Sequence, residues 1–209
     1  MSQPEQAAPS YAFFDFDGTI TQGDSFIPFL RYHLGTGPFL GHLLRLAPVF
    51  IGYGLKLIPN DRAKEKVLLA TIAGRTPREL QEAARAYWPR LEKALLPAGL
   101  EKLREQQAAG RRCVLVSASP ELFLRPWAEA LGFSHVIATQ LEEADGRCTG
   151  RLGSANCYGA EKVRRIEAQL GPGAWADSWA FGDSRADLPM LRASGRGFLR
   201  RGEHFDPIG

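Results

Sequence analysis

Tyr11-Ala12-Phe13-Phe14-Asp15-Phe16-Asp17-Gly18-Thr19 is the stretch on which the fold turns. Tyr11 to Phe14 is a short apolar and aromatic run, the pattern of a buried strand. Asp15 and Asp17 then stand at the carboxyl end of that strand, directly before a glycine turn, and in an open α/β sheet ligands bind at that end. Residues two apart in extended chain point to the same side. Two carboxylates so placed need a proton, a cation or a bound ligand to relieve their repulsion, and a hard, oxygen-ligated ion such as Mg²⁺ fits. The plain alternative is a strand that ends in a solvated acidic turn.

Later runs repeat the pattern. Arg112 to Val116 ends at Ser117, His135 to Ala138 follows a helical stretch, and Ser178 to Phe181 ends at Gly182-Asp183. Each is short, apolar and bounded by polar or turn residues, as strands buried on both faces are, and Gly197-Phe198-Leu199 is a candidate for one more. Helices are predicted between them. Leu100 to Ala109 stops at Gly110, Ser119-Pro120-Glu121 reads as a cap opening a helix to about Leu131, and Ala160 to Leu170 stops at Gly171-Pro172. Asp145-Gly146 predicts a small hairpin. Strands alternating with helices predict an α/β fold, a doubly wound, Rossmann-like parallel sheet. Residues 21–96 break the rhythm with helical stretches only, including the capping box Thr76-Pro77-Arg78-Glu79. The expected organisation is a core of 1–20 and 97–209 carrying an inserted all-α cap, 21–96.

Composition bounds the function. A hydrophobic share of 44% and a charged share of 23% suit a soluble globular chain and exclude wholesale disorder. A net charge of +3 is too weak to argue for nucleic acid, and no basic stripe interleaves with aromatics. Cys113, Cys148 and Cys157 are odd in number and lack metal-ligand spacing, which points to a reducing, cytoplasmic setting. Met1 to Ser10 is polar, lacks a signal-peptide pattern and reads as a frayed tail. Phe39 to Ile58 is strongly apolar but interrupted by His42, Arg45, Pro48 and Lys56, so a spanning helix is rejected. Two readings stay open for it: a buried cap helix, or an interfacial surface making peripheral membrane contact.

The strand ends bring Asp15, Asp17, Ser117 and Asp183 toward one crevice. Ser117, with backbone N–H groups beside it near a helix start, suits a phosphate; its plain role, with Ser119, is helix capping. Lys162 sits in a first helical turn, unfavourable for the helix dipole, and so has another use or is simply solvated. Phe181-Gly182-Asp183-Ser184-Arg185-Ala186-Asp187 repeats the opening logic, with a second carboxylate at a helix start.

Taken together, these segments resemble the haloacid dehalogenase-like (HAD) phosphohydrolases, in order and spacing over nearly the whole chain. The helical insertion resembles the cap of the phosphoserine phosphatase-like branch, and the apolar cap stretch with Phe29 to Tyr32 is similar to the phosphatidylglycerophosphatase C family. The resemblance implies a Mg²⁺-dependent phosphatase acting on a small phosphorylated substrate. Asp15 is then the nucleophile that forms an aspartyl-phosphate, and Asp17 the general acid and base. It implies Mg²⁺ on the Asp15 carboxylate, the Asp17 carbonyl and Asp183. Phosphate is implied at Ser117, Lys162 and the amides near Gly18 and Ala118, with Thr19 and Asp187 in support. Asp24 stands where phosphoserine phosphatases carry a glutamate for the substrate amine, Lys66 is the nearest match to their carboxylate-binding cap arginine, and Ala186 replaces an asparagine. These departures argue against phosphoserine itself. A lipid-linked phosphate is an alternative substrate, and a non-catalytic phosphate-binding module is the reading from another class.

Overall fold

The computed structural model describes residues 10–209; residues 1–9, most of the expected frayed tail, lie outside the described residues. Ser10 itself is not frayed: its carbonyl accepts from the Arg112 amide and its hydroxyl donates to the Asp177 carbonyl.

Six strands form one sheet. They are β1 (Tyr11–Phe14), β2 (Arg112–Pro120), β3 (His135–Thr139), β6 (Trp179–Gly182), β7 (Arg196–Arg201) and β8 (His204–Pro207), in the order β3-β2-β1-β6-β7-β8. All pairs are parallel except β7 with β8. A separate antiparallel pair, β4 (Leu141–Ala144) and β5 (Arg147–Leu152), is the hairpin expected at Asp145-Gly146. Strand β8 has no counterpart in the sequence reading: His204-Phe205-Asp206-Pro207 carries one aromatic among polar residues and is largely exposed, as an edge strand can be.

Strand β1 lies at the centre, and its alternation divides the core. Ala12 and Phe14 face one cluster with Leu115, Phe181 and Trp127, while Tyr11 and Phe13 face another with Val114, Ile137 and Ile166. The Phe14 and Phe181 rings stack with centroids 4.6 Å apart. The helices α5 (Pro97–Ala108) and α6 (Glu121–Ala130) supply Leu103, Phe123 and Trp127 to the first face; α7 (Ala160–Leu170) and α8 (Leu188–Ala193) supply Ile166 and Met190 to the second. This is the doubly wound architecture expected, and the chain changes winding direction at β1.

Between β1 and β2 run α1 (Phe26–Leu34), α2 (Thr36–Gly54), α3 (Asn60–Thr71) and α4 (Pro77–Leu91), then α5. The capping box opens α4: the Glu79 amide donates to Thr76 Oγ1 and the Thr76 amide to the Glu79 carboxylate. The chain leaves and re-enters the sheet side at one place, where Thr21 bridges Leu95, the Gln22 amide donates to the Ala94 carbonyl and the Leu96 amide to that of Ile20. Helices α1, α3 and α4 tie this segment to the rest, α1 through the rings of Phe26 and Phe29 on Phe123 and Trp127. Helix α4 packs on α6, where Trp127 Nε1 donates to the Ala84 carbonyl, and α3 packs on β5. Gly150 allows that second approach: its φ is +83°, and a Cβ there would overlap the Leu69 backbone.

Helix α2 corrects one of the two readings of residues 39–58. It is not buried: Leu46 alone among its residues reaches full burial, while Leu44 is 78% and Ile51 63% exposed. Among the described residues no helix is long and apolar enough to cross a membrane.

Candidate active site

The register of the sheet assembles the site. Phe14 is level with Leu115 on one side and Phe181 on the other, and the Asp15 amide continues the ladder to the Phe181 carbonyl at 3.0 Å. Asp15, Ser117 and Asp183 therefore emerge at one edge. They line a cleft of about 210 Å³ with Asp17, Lys162 and Asp187.

Asp15 and Lys162 are buried, and Lys162 Nζ donates at 2.6 Å to Asp15 Oδ1 and at 2.6 Å to Asp187 Oδ1. The first-turn lysine disfavoured by its own helix dipole is thus committed to two carboxylates. Burial works against its charge, but Asp15 and Asp187 outweigh that and hold its pKa above the ordinary lysine value. Burial pushes the Asp15 carboxyl up to about 8, with Lys162 opposing and Asp187 adding to the rise. Two carboxylates against one ammonium leave a surplus negative charge in a buried place, which a cation would relieve.

Carboxylate oxygens of Asp15, Asp183 and Asp187 lie within 4.8 Å of one another. Burial, then Asp187, raises the Asp183 carboxyl above its ordinary value, and among the described residues no other side chain donates to it. An oxygen-only cluster with one unpartnered carboxylate suits Mg²⁺. Gly18 makes room for it: its φ is +83°, and a Cβ there would overlap the Asp183 carboxylate. Asp187 has no room to act as a free ligand. Its Oδ1 takes Lys162, while its Oδ2 accepts from the amides of Asp183 and Ser184 and from the Ser184 hydroxyl.

The Asp17 carboxylate departs from expectation. Both of its oxygens are engaged away from Asp15: Oδ1 accepts from the Ser25 amide at 2.7 Å and Oδ2 from the Ser119 hydroxyl at 2.6 Å. Strand β1 ends at Phe14 and the turn has begun by Asp17, so the same-side rule for extended chain no longer applies. Ser119 is likewise not a helix cap. Strand β2 continues to Pro120, α6 opens without a side-chain cap, and the Ser119 amide donates to Ser117 Oγ. A sequence reading that spent Ser119 on capping missed it.

Lys64 was missed as well. It reaches in from α3 and donates at 2.7 Å to the Ala118 carbonyl and at 2.7 Å to Asn156 Oδ1, while Asn156 Nδ2 donates to Asn60. Burial lowers its pKa to about 8. Lys66, the residue aligned by resemblance, is exposed; one helical turn cannot bring both to the same side. Asp24 also lies apart from the cleft lining, exposed, its carboxylate accepting from the Ile27 amide in the first turn of α1. Thr19 is buried behind the turn with no partner for its hydroxyl among the described residues.

A family model described as haloacid dehalogenase-like hydrolase matches residues 12–192. The chain belongs to that family. Protein CicA of Caulobacter vibrioides is 36% identical over 187 residues, 88% of this chain and 82% of that protein. Phosphoserine phosphatase SerB1 of Mycobacterium tuberculosis is 29% identical over 202 residues, 92% of this chain and 65% of that one. A solved structure from Bordetella pertussis Tohama I superposes with a TM-score of 0.79 at 28% identity, covering 90% of this chain and 88% of that one. The chain is thus a phosphoserine phosphatase-like HAD hydrolase, which is consistent with phosphoric monoester hydrolysis.

Proposed function

We propose that the protein is a cytoplasmic, Mg²⁺-dependent phosphomonoesterase for a small phosphorylated metabolite, working through an aspartyl-phosphate. The supporting observation is the buried Asp15–Lys162–Asp187 triad beside an unpartnered Asp183. Asp15, Asp183 and the Asp17 carbonyl would hold Mg²⁺, which supplies charge neutralisation and orients the phosphoryl group. Asp15 attacks phosphorus through the oxygen not engaged by Lys162. Lys162, Ser117 and the amides around Gly18 and Ala118 neutralise the phosphoryl oxygens as charge develops. Asp17 gives a proton to the leaving alkoxide and later takes one from the hydrolytic water; Ser25 and Ser119 hold it in line. Residues 21–96 serve as the cap, from which Lys64 reaches the Ala118 carbonyl and the Ser25 amide reaches Asp17.

Hydrolysis of an aryl phosphate with Mg²⁺ should be lost with EDTA. Asp15→Asn should lower turnover by about 10⁴-fold or more with the fold intact; full activity in that variant removes Asp15 as nucleophile.

A second reading, hydrolysis of a lipid-linked phosphate at a membrane surface, is favoured by one observation. Of nine exposed large hydrophobic side chains among the described residues, seven lie between Leu40 and Leu57. Turnover of a phosphatidylglycerophosphate in mixed micelles that exceeds turnover of soluble glycerol phosphates would select it; the reverse order would reject it.

A further inference from the structure

Helix α2 and the Leu55 that caps its C-terminus carry an apolar stripe at Leu40, Leu44, Ala47, Ile51 and Leu55, spaced i, i+4, i+7, i+11 and i+15. Four of these five are exposed. Residues 25–60 contain Arg31, Arg45 and Lys56 but no Asp or Glu. At the N-terminal end of the stripe, Arg31 and Arg90 line a cleft of about 690 Å³ with Tyr32, Tyr87, Ile27 and Phe39, well over the size of the catalytic cleft. Arg90 lies over the Tyr32 ring, 4.4 Å from its centroid. Among the described residues neither guanidinium forms a salt bridge, although other surface arginines such as Arg78 and Arg125 do. Gly35 and Thr36 also line the cleft, so the start of α2 faces it, with no side chain capping that helix end. Two unpaired guanidiniums and an uncapped helix N-terminus over aromatic walls suit a phosphate monoanion joined to something apolar.

We propose that this cleft takes the anionic headgroup of a membrane phospholipid while the α2 stripe lies on the bilayer. Charge complementarity selects the occupant: a wholly basic segment beside a continuous apolar face matches an anionic leaflet. Such a subsite presupposes that α2 faces a membrane, as in the second reading above, and adds to it a headgroup charge and a place for that headgroup away from the catalytic carboxylates.

The test is co-sedimentation of the full chain with phosphatidylcholine vesicles, with and without phosphatidylglycerol. The wild type should bind the anionic vesicles and bind the neutral ones far less. Leu44→Asp should weaken binding by about tenfold or more. Arg31→Ala and Arg90→Ala should each weaken it by about fivefold. Arg45→Ala, on α2 but outside the cleft, should weaken it less. Hydrolysis of an aryl phosphate in solution should be unchanged in all four. Loss of binding in Leu44→Asp with none in Arg31→Ala or Arg90→Ala overturns the headgroup subsite and leaves the membrane face standing. An effect of Arg45→Ala equal to that of Arg31→Ala reduces the cleft to general charge attraction and also overturns it. Absence of wild-type binding to either vesicle overturns subsite and membrane face together.

Discussion

The catalytic cleft and the outer face of α2 are built on opposite terms. In the cleft, charged groups are buried or half-buried and held at hydrogen-bond distance by named partners: Lys162 by two carboxylates, Asp17 by an amide and a hydroxyl. On α2, Phe39, Val49 and Phe50 pack inward while Leu40, Leu44 and Ile51 are half or more exposed. Each arrangement is unfavourable when isolated, since buried charge and exposed hydrocarbon both raise the free energy. The cleft resolves its cost mostly within the molecule and leaves one surplus charge for a cation. The outer face of α2 leaves the cost of its exposed side chains for something outside. Function is written in what each region leaves unresolved.

Lys162→Met should break the contrast most sharply. It leaves Asp15 and Asp187 buried without their common cation, so unfolding measured by denaturant should show a loss of about 3–5 kcal/mol. Part of that loss should return with Mg²⁺, and a variant as stable as wild type would mean the triad is not the tension point of the fold. Ser119→Ala comes next. Removing one of two donors to Asp17 should reduce aryl phosphate turnover by roughly tenfold, in line with a lost hydrogen bond to a charged group of about 1.5 kcal/mol. Undiminished turnover in that variant removes Ser119 from the support of Asp17.

Lys64 gives a smaller effect of defined sign. Its folded-state pKa of about 8 lies below the ordinary lysine value of 10.5, so the unfolded chain binds more protons between those pH values. Stability should therefore rise with pH through that window, and Lys64→Met should flatten the rise; an identical pH–stability curve in the variant would contradict the burial of Lys64. Ile51→Ser should do least, within about 0.5 kcal/mol of wild type, because the side chain touches solvent rather than core. A large destabilisation there would show that α2 is packed in solution after all.

The same contrast explains what could be read beforehand. The sheet was legible because β1, β2 and β6 are buried on both faces and end in the residues that do chemistry, so pattern and site coincide at Phe14-Asp15 and Gly182-Asp183. Lys162 was legible through its poor fit to a helix start. Ser119 and Lys64 were not. Ser119 obeys two local rules at once, capping and strand, and only the partner 102 residues away decides between them. Lys64 sits on an ordinary amphipathic helix whose orientation over Ala118 depends on the α3–β5 packing that Gly150 permits. Exposure of α2 could not be read from composition either, because a buried helix and an interfacial one can carry the same residues.

The pairing of Thr21 with Leu95 gives the helical insertion a single doorway. Two strands of chain crossing at one point can be cut and rejoined without altering the path of any strand of the sheet. A foreign insertion spliced there would need to match the surfaces that receive α4 and α3 and the Phe123 and Trp127 rings that Phe26 and Phe29 of α1 meet. The carboxylates at the ends of β1 and β6 stay in place whatever chain is spliced between Thr21 and Leu95.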